Sequence, residues 1–140
     1  MGKPLTIAAK AILFDEGKVL VLRRSPQERK NRESHLWDFP GGSVEPEEPI
    51  MEALAREIKE ETGLEVKVVA PAYVYDEVQE EKHLVLLKFA CDQPIGEVQL
   101  SEEHDLFLWV PIDELEETPF PDWMKEEIKK AYRVYTELRN

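Results

Sequence analysis

Three glutamates, Glu57, Glu60 and Glu61, stand three and four residues apart in the stretch "AREIKEETGL". On a helix, like charges at these spacings repel one another. Carboxylates beside buried surface also lose hydration, so such a cluster is costly without a counter-cation. Hard divalent ions such as Mg²⁺ prefer oxygen ligands of this kind. The spacing alone leaves two interpretations open, a metal site and an ordinary charged helix.

The element that must position these glutamates is a helix over roughly residues 49–62. Pro49 suits a position in the first turn, and Gly63 suits the left-handed residue that ends a helix. At roughly 100° per residue, the apolar side chains that should form the buried stripe are Ile50, Leu54 and Ile58. Glu57 and Glu61 then lie at the edge of this stripe.

The residues around the cluster match a known motif. Counting from Gly42, the defined positions are Gly42, Glu48, Arg56, Glu57, Ile58, Glu60, Glu61, Gly63 and Leu64. The stretch resembles the Nudix box, GX5EX7REUXEEXGU with U aliphatic, at every one of them. The segments "LRRS", "LWDFPGG" and "EEHDLFLWVPIDEL" also resemble the corresponding parts of MutT-like members. The chain is therefore identified as a member of the Nudix family.

This resemblance implies a fold, a reaction and a set of metal ligands. The implied fold is an α/β/α sandwich with a mixed sheet and two main helices. The implied reaction is hydrolysis of a nucleoside diphosphate linked to another group, with Mg²⁺ or Mn²⁺ as cofactor. The implied ligands are the carboxylates of Glu57, Glu60 and Glu61 and the carbonyl of Gly41. Glu48 and Arg56 would brace the loop against the helix and so fix the ligand geometry. The box glycines Gly42 and Gly63 would have a structural role at the two ends of this segment.

A further glutamate is expected as metal ligand or general base. In MutT-like members it lies six residues ahead of a tryptophan, and six residues before Trp109 stands Glu103. Glu102 is the alternative. Some Nudix enzymes use a glutamate of the box instead, so Glu60 or Glu61 could activate the water.

A basic stretch from Arg23 to Arg32 is expected to bind phosphate. Its basic residues are Arg23, Arg24, Arg29, Lys30 and Arg32. Arg24 resembles the phosphate-side arginine of MutT-like enzymes, and a planar guanidinium suits phosphate oxygens. A solvated basic loop without ligand contact is the alternative.

Aromatic and acidic side chains are candidates for contacts with a nucleobase. The aromatic candidates for stacking are Trp37, Phe39, Tyr73, Tyr75 and Trp123, although core packing explains each of them as well. Asp38 or Asp122 could accept hydrogen bonds from a base. Members that hydrolyse oxidised guanine nucleotides carry an asparagine shortly after a Phe-Pro pair, where this chain has Met124. That departure weakens an 8-oxo-dGTP assignment.

Composition limits the remaining function classes. A net charge of -12 argues against binding to a nucleic-acid polymer, which needs clustered Lys and Arg. No apolar run is long enough to span a bilayer. Cys91 is the one cysteine, so no intrachain disulfide is possible and a cytoplasmic location is expected. We expect one domain over residues 1–140, as a monomer or a homodimer.

The remaining elements should form the sheet and a second helix. Strand-like runs are "LTIAAKAILFD", "KVLVLRRS", "LEVKVVAPAYVYDEV", "EKHLVLLKFACD" and "DLFLWVPI". The second helix spans roughly 122–137, and its buried stripe should be Met124, Ile128, Ala131 and Tyr135. Three histidines without ligand spacing are interpreted as ordinary surface or strand residues, and they are His35, His83 and His104.

Together these observations favour a Mg²⁺-dependent pyrophosphohydrolase acting on a nucleotide of the (d)NTP type. ADP-ribose or a dinucleoside polyphosphate is the alternative substrate. A Nudix domain that binds a nucleotide as a sensor without cleaving it is the alternative of another class. The isomerase branch of the fold requires a catalytic cysteine, and Cys91 is not set in such a motif.

Overall fold

The computed structural model describes residues 2–29 and 36–139. The strands are Leu5–Asp15 (β1), Lys18–Arg24 (β2), Trp37–Asp38 (β3), Gly41–Ser43 (β4), Glu65–Val78 (β5), His83–Ile95 (β6) and His104–Pro111 (β7). The α-helices are Pro26–Arg29 (α1), Ile50–Thr62 (α2) and Asp122–Leu138 (α3), with a 3₁₀ helix at Ile112–Glu117.

The strands of the described residues join in one mixed sheet. Its central order is β3-β2-β1-β6-β5, with β4 pairing to β1 and β7 to β2. Strands β1 and β6 run parallel, which places Lys10 directly opposite Lys88. The other pairings are antiparallel. The five predicted strands are confirmed, whereas the short strands β3 and β4 were not predicted.

Helices cover both faces of this sheet. Side chains alternate along β1, so Ile12 and Phe14 pack toward α3 while Leu13 packs toward α2. Helices α2 and α3 each bury an apolar stripe against one face. The arrangement is the α/β/α sandwich with two main helices that the resemblance implies. Among the described residues, no helix is long and apolar enough to cross a membrane.

Helix α2 begins one residue later than expected, and the first residues of the helix are exposed. Pro49 stands just before the helix, and Gly63 ends it at φ 75°. Leu54 and Ile58 are buried as predicted, but Ile50 is 37% exposed. The prediction that Ile50 is buried was wrong because the start of α2 does not pack against the fold: residues 50–52 are exposed, and the buried residues of the helix begin at Ala53.

Predictions for α3 and Cys91 agree with the structure. All four residues of the predicted stripe are buried, namely Met124, Ile128, Ala131 and Tyr135. Cys91 is a buried free cysteine of β6. Burial raises the pKa of its thiol to about 12, with the charge of Asp92 adding to the shift, so the reactive thiolate is disfavoured.

Of the histidines interpreted as ordinary surface or strand residues, His83 pairs with Asp76 at 2.6 Å, and His35 lies outside the described residues.

Candidate functional site

Gly41 brings the strand β4 close to both β1 and α2. A Cβ on this residue would lie 2.2 Å from the carbonyl oxygen of Ala9, and its φ is +139°. Only glycine is compatible with this conformation and this close approach. The Gly41 amide donates a 3.0 Å hydrogen bond to Oε1 of Glu61, which is 5% exposed. The glycine therefore holds a buried carboxylate against the loop backbone.

Gly42 leaves the space that the carboxyl group of Glu57 occupies. A Cβ on Gly42 would lie 2.6 Å from both Cδ and Oε2 of Glu57. Oε1 of Glu57 accepts a 3.1 Å hydrogen bond from Nη1 of Arg56. The two consecutive glycines thus contact two successive turns of α2, one at Glu57 and the other at Glu61.

Arg56 of α2 binds the loop that connects β4 to α2. Its Nε and Nη2 donate to Oε2 and Oε1 of Glu48 at 2.8 and 3.0 Å, and Nη2 also donates to the carbonyl of Ser43 at 3.2 Å. The Arg56 hydrogen bond holds the pKa of Glu48 down at about 2. Glu60, whose side chain is 57% exposed, lies 3.4 Å from Nη1 of Arg56. The two-point contact between the guanidinium of Arg56 and the carboxylate of Glu48 restrains the loop that follows the two glycines.

The segment before β7 brings a fourth carboxylate to the end of α2. The Ser101 amide donates to the carbonyl of Glu61 at 3.2 Å, and the Ser25 amide donates to the carbonyl of Glu103 at 2.8 Å. Glu102 and Glu103 are both exposed. These backbone bonds fix the segment between α2 and the end of β2, so residue 103 stands beside the box glutamates.

Burial and neighbouring carboxylates disfavour the ionised forms of Glu57 and Glu61. Burial raises the pKa of Glu61 to about 8, and the charge of Glu103 adds to the shift while Lys10 opposes it. Burial likewise raises the pKa of Glu57, and Glu60 and Glu103 add to that shift. A divalent cation would favour the ionised forms of these groups, and carboxylate oxygens are the donors that hard cations prefer. The chemistry of the donor set therefore fits Mg²⁺ or Mn²⁺.

The carboxylate oxygens of these glutamates do not point to a common centre. Across residues 2–29 and 36–139, no three side chains of the His, Cys, Asp and Glu types lie close enough together to hold a metal ion. Oε1 of Glu61 is turned to the Gly41 amide, and Oε1 of Glu57 is turned to Arg56. Glu61 thus bonds to the loop backbone, whereas Glu57 and Glu60 both bond to Nη1 of Arg56.

Asp38 is a buried carboxylate surrounded by three basic side chains. Its oxygens lie 3.1 Å from Lys10 Nζ, 3.1 Å from Arg24 Nη2 and 2.9 Å from His104 Nε2. Burial opposes ionisation, yet Lys10, His104 and Arg24 together hold the pKa of Asp38 well below its usual range. Lys10 also donates to the Gly41 carbonyl at 3.3 Å. This network therefore connects the glycine loop to the start of β7.

The predicted basic stretch divides between two sides of β2. Arg24 faces Asp38, whereas Nε of Arg23 pairs with Asp105 at 2.8 Å. Arg29 also pairs with Asp105, at 3.1 Å. Lys30 and Arg32 lie outside the described residues. Arg24 alone of the three described arginines reaches the buried network.

A cavity of about 730 Å³ opens beside Asp38. Lys10, Arg24 and Asp38 line the end that adjoins the glycine loop. The five aromatic residues predicted as stacking candidates all line it, namely Trp37, Phe39, Tyr73, Tyr75 and Trp123. Phe39 also belongs to the hydrophobic core, and Trp37 packs against that core. The cavity therefore combines flat apolar walls with a charged end next to the box glutamates.

Comparison with known proteins identifies this arrangement. The NUDIX domain model matches residues 4–132. The chain belongs to the Nudix family. It is a Nudix hydrolase with MutT-like relatives, and the fold and motif described above are those of this family.

Named Nudix relatives include nucleotide hydrolases. The CTP pyrophosphohydrolase of Escherichia coli strain K12 is 33% identical over 111 residues, which cover 78% of this chain and 78% of the relative. The nucleoside triphosphatase NudI of an E. coli strain is 34% identical over 90 residues, or 56% of this chain and 64% of the relative. The crystal structure of a MutT protein from Methanosarcina mazei Go1 superposes with a TM-score of 0.75 at 30% identity, covering 95% of this chain and 96% of that one.

The structure also places in the site of this Nudix hydrolase residues that the sequence analysis did not select. Lys10 contacts Asp38 and Gly41, and Lys88 lines the cavity beside Glu127. His104, interpreted as an ordinary histidine, is buried against Asp38. The available signal for both lysines was a single charge inside an apolar strand, in "IAAKAILF" and "HLVLLKFA".

Proposed function

We propose that this Nudix hydrolase, as a single domain over residues 1–140, cleaves a nucleoside triphosphate of the (d)NTP type to a nucleoside monophosphate and pyrophosphate. The observation that carries the proposal is the surplus of carboxylates at Glu57, Glu61 and Glu103 beside a cavity with aromatic walls. Relatives named for CTP and nucleoside triphosphate hydrolysis support this substrate class.

A divalent metal ion, Mg²⁺ or Mn²⁺, is part of the proposal. The groups that would hold it are the carboxylates of Glu57, Glu60, Glu61 and Glu103 and the carbonyl of Gly41. When bound, such an ion neutralises phosphate oxygens and lowers the pKa of a bound water. The Gly41 carbonyl has two lone pairs, so its bond to Lys10 leaves one for a second partner. Support comes from the raised pKa of Glu57 and Glu61, which burial and the charge of Glu103 cause and which a bound cation would offset.

Glu103 is our candidate for the group that accepts a proton from the attacking water. Its side chain is exposed, so water reaches it, and its charge acts on both Glu57 and Glu61. Glu102 is also exposed, but the neighbouring charge that raises the pKa of both Glu57 and Glu61 is that of Glu103. The alternative, in which Glu60 or Glu61 activates the water, stays a prediction.

Arg24 is our candidate for binding the phosphate chain. It lines the charged end of the cavity, and Asp38 fixes one side of its guanidinium. Its Nε is buried and has no hydrogen-bond partner among the described residues. A planar donor group held in this way suits bidentate contact with phosphate oxygens. Asp38 would then orient Arg24 and Lys10, and the adjoining aromatic walls would receive the nucleoside.

The experiment that tests the proposal is product analysis with a panel of substrates. The panel contains canonical and oxidised (d)NTPs, ADP-ribose, nucleotide sugars and dinucleoside polyphosphates, each with Mg²⁺, with Mn²⁺ and with a chelator. We expect metal-dependent formation of a monophosphate and pyrophosphate from at least one triphosphate. Turnover of ADP-ribose or a dinucleoside polyphosphate alone would replace the substrate class. Binding of a nucleotide without turnover of any substrate would favour the sensor.

A further inference from the structure

Lys88 of β6 and Glu127 of α3 form a buried ion pair on the lining of the cavity. Nζ of Lys88 lies 3.0 Å from Oε1 of Glu127, and the two side chains are 5% and 10% exposed. Both residues line the same cavity as Lys10, Arg24 and Asp38. Neither has a part in the reaction proposed above.

Stability is a weak explanation for this pair. Desolvation of two charges commonly offsets their attraction, and apolar residues of similar volume often stabilise a fold equally well. Burial lowers the pKa of Lys88 to about 7 and raises the pKa of Glu127 to about 8, so both groups bear this cost. Lys10 lies beside Lys88 on the parallel strand and adds repulsion. A polar pair at this position therefore suggests a ligand.

The pair has unused hydrogen-bonding capacity. Among the described residues, the one hydrogen bond of Glu127 is that from Lys88 to Oε1, so Oε2 is available as an acceptor. Lys88 makes no second hydrogen bond within the same residues, and its Nζ lies 4.9 Å from the ring centre of Phe39 and 5.6 Å from that of Tyr75. Two of its three N–H groups are thus available as donors. Oη of Tyr73, on the same cavity lining, is buried without a partner.

The surrounding charges indicate the kind of group that would bind. Lys82 and Lys130 line this region, but so do Glu77, Glu126 and Glu127. These carboxylates would repel a second phosphate chain. A neutral planar ring with a donor next to an acceptor matches both the available groups and the stacked walls, in which the rings of Tyr73 and Tyr75 lie 5.8 Å apart between centres. A nucleobase is such a ring.

We propose that Lys88 and Glu127 read the hydrogen-bonding edge of the substrate's nucleobase and so determine base specificity. Glu127 accepts from a donor of the base, and Lys88 donates to the neighbouring acceptor. The proposal rests on the nucleotide hydrolysis proposed above. It predicts discrimination between bases that differ at this edge, since cytosine carries an amino donor beside a ring acceptor where uracil carries the reverse order. Adenine and guanine differ in the same way.

The test is the ratio of kcat/KM values within each matched substrate pair, CTP against UTP and ATP against GTP. Two variants, Glu127→Gln and Lys88→Met, are compared with the unmodified chain. Because a pair of good base contacts discriminates strongly, we expect each variant to change at least one ratio by about tenfold or more. The change should be mainly in KM, and ribose 5-triphosphate, which has no base, should be hydrolysed as before.

Matched controls lie outside the cavity, on α3 and on the 3₁₀ helix. Lys129 and Glu116 form an exposed ion pair away from the cavity, so Lys129→Met and Glu116→Gln repeat the two charge changes outside the site. These controls should leave both ratios unchanged. If a single variant melts early, the double variant Lys88→Met with Glu127→Leu removes both buried charges together and is tested in its place.

Two results would overturn the base-reading role. One is an unchanged ratio in both substrate pairs for all the cavity variants, and the other is an equal loss for every substrate including ribose 5-triphosphate. Either result would leave nucleotide hydrolysis itself intact. Absence of turnover for every triphosphate with the unmodified chain would instead contradict the proposed function, and the base-reading role with it.

Discussion

Glu61 and Glu127 are two buried glutamates whose pKa burial raises to about 8, yet they have opposite neighbours. Glu61 lies beside other carboxylates, and its bond to the glycine loop comes from a neutral amide. Glu127 faces the ammonium of Lys88 at 3.0 Å. The same desolvation is thus met in two ways. We propose that the carboxylates around Glu61 bind a cation from solution, whereas the Lys88–Glu127 pair binds a neutral polar group of the substrate.

The largest expected effect is that of Glu61→Gln. The amide keeps the shape of the side chain and its acceptor for Gly41, but it removes the charge from the proposed metal site. We expect kcat/KM with Mg²⁺ to fall by about a hundredfold or more, while the melting temperature without metal stays equal or rises. Glu52→Gln, on the exposed side of the same helix, is the control and should retain full activity. Equal activity in the two variants would remove Glu61 from the metal site.

Loss of the contact between Glu48 and Arg56 should have the second largest effect on activity. Glu48→Gln removes a charge-assisted, two-point contact that restrains the glycine loop. Loss of a partner that orients ligands should cost about 10–100-fold in metal affinity or activity. Metal titration and steady-state kinetics measure both quantities. Glu45→Gln changes an exposed carboxylate in the same loop, and a loss of similar size there would contradict a specific brace.

The two loop glycines should fail in different ways. In Gly42→Ala the new methyl group meets the movable carboxyl of Glu57, so we expect metal affinity to fall by about tenfold with little change in melting temperature. In Gly41→Ala the methyl group meets the backbone of Ala9 at a positive φ, so the fold itself should lose about 1–3 kcal/mol or more. Thermal melting and metal titration of both variants separate the two effects. Equal destabilisation of both would contradict this distinction.

The smallest effect concerns the pH dependence of stability. Glu61 has a pKa of about 8 in the fold against an ordinary value of 4.5, so the native state binds more protons between these two values. The stabilisation from this proton is therefore complete below about pH 4.5 and is lost as pH rises through 8. Glu127 should contribute a slope of the same sign.

Only the part of this slope that comes from the proposed metal ligands, Glu61 and Glu57, should respond to metal. Mg²⁺ favours the ionised carboxylate, so we expect it to raise the melting temperature most at pH 8 and to flatten the decline between pH 6 and 8. In Glu61→Gln the slope that remains should be much less sensitive to Mg²⁺. A slope with equal sensitivity to Mg²⁺ in this variant would show that the ion acts elsewhere.

Motif and periodicity were sufficient to predict the fold class, the helix that carries the glutamates and the buried stripe of α3. These features depend on neighbours within a few residues along the chain. Ile50 was predicted incorrectly because spacing shows which side of a helix is apolar but not which of its turns pack against the rest of the fold. The buried residues of α2 begin at Ala53, after the exposed residues 50–52.

The buried polar contacts of the cavity were not predicted because their partners come from distant elements. Lys10 and Asp38 are separated by 28 positions, and Lys88 and Glu127 by 39. The parallel pairing of β1 and β6 then places the two lysines side by side. A single lysine inside an apolar strand signals a buried partner, but only the fold identifies which carboxylate it is.

The most direct test of the central claim, that the box carboxylates form a divalent metal site, is to count bound Mn²⁺ by electron paramagnetic resonance. The measurement compares the unmodified chain with Glu61→Gln and with the control Glu52→Gln. We expect at least one Mn²⁺ per chain in the unmodified protein and the control, and strongly weakened binding in Glu61→Gln. Equal Mn²⁺ binding in all three proteins, or nucleotide hydrolysis that continues with no metal bound, would contradict the claim.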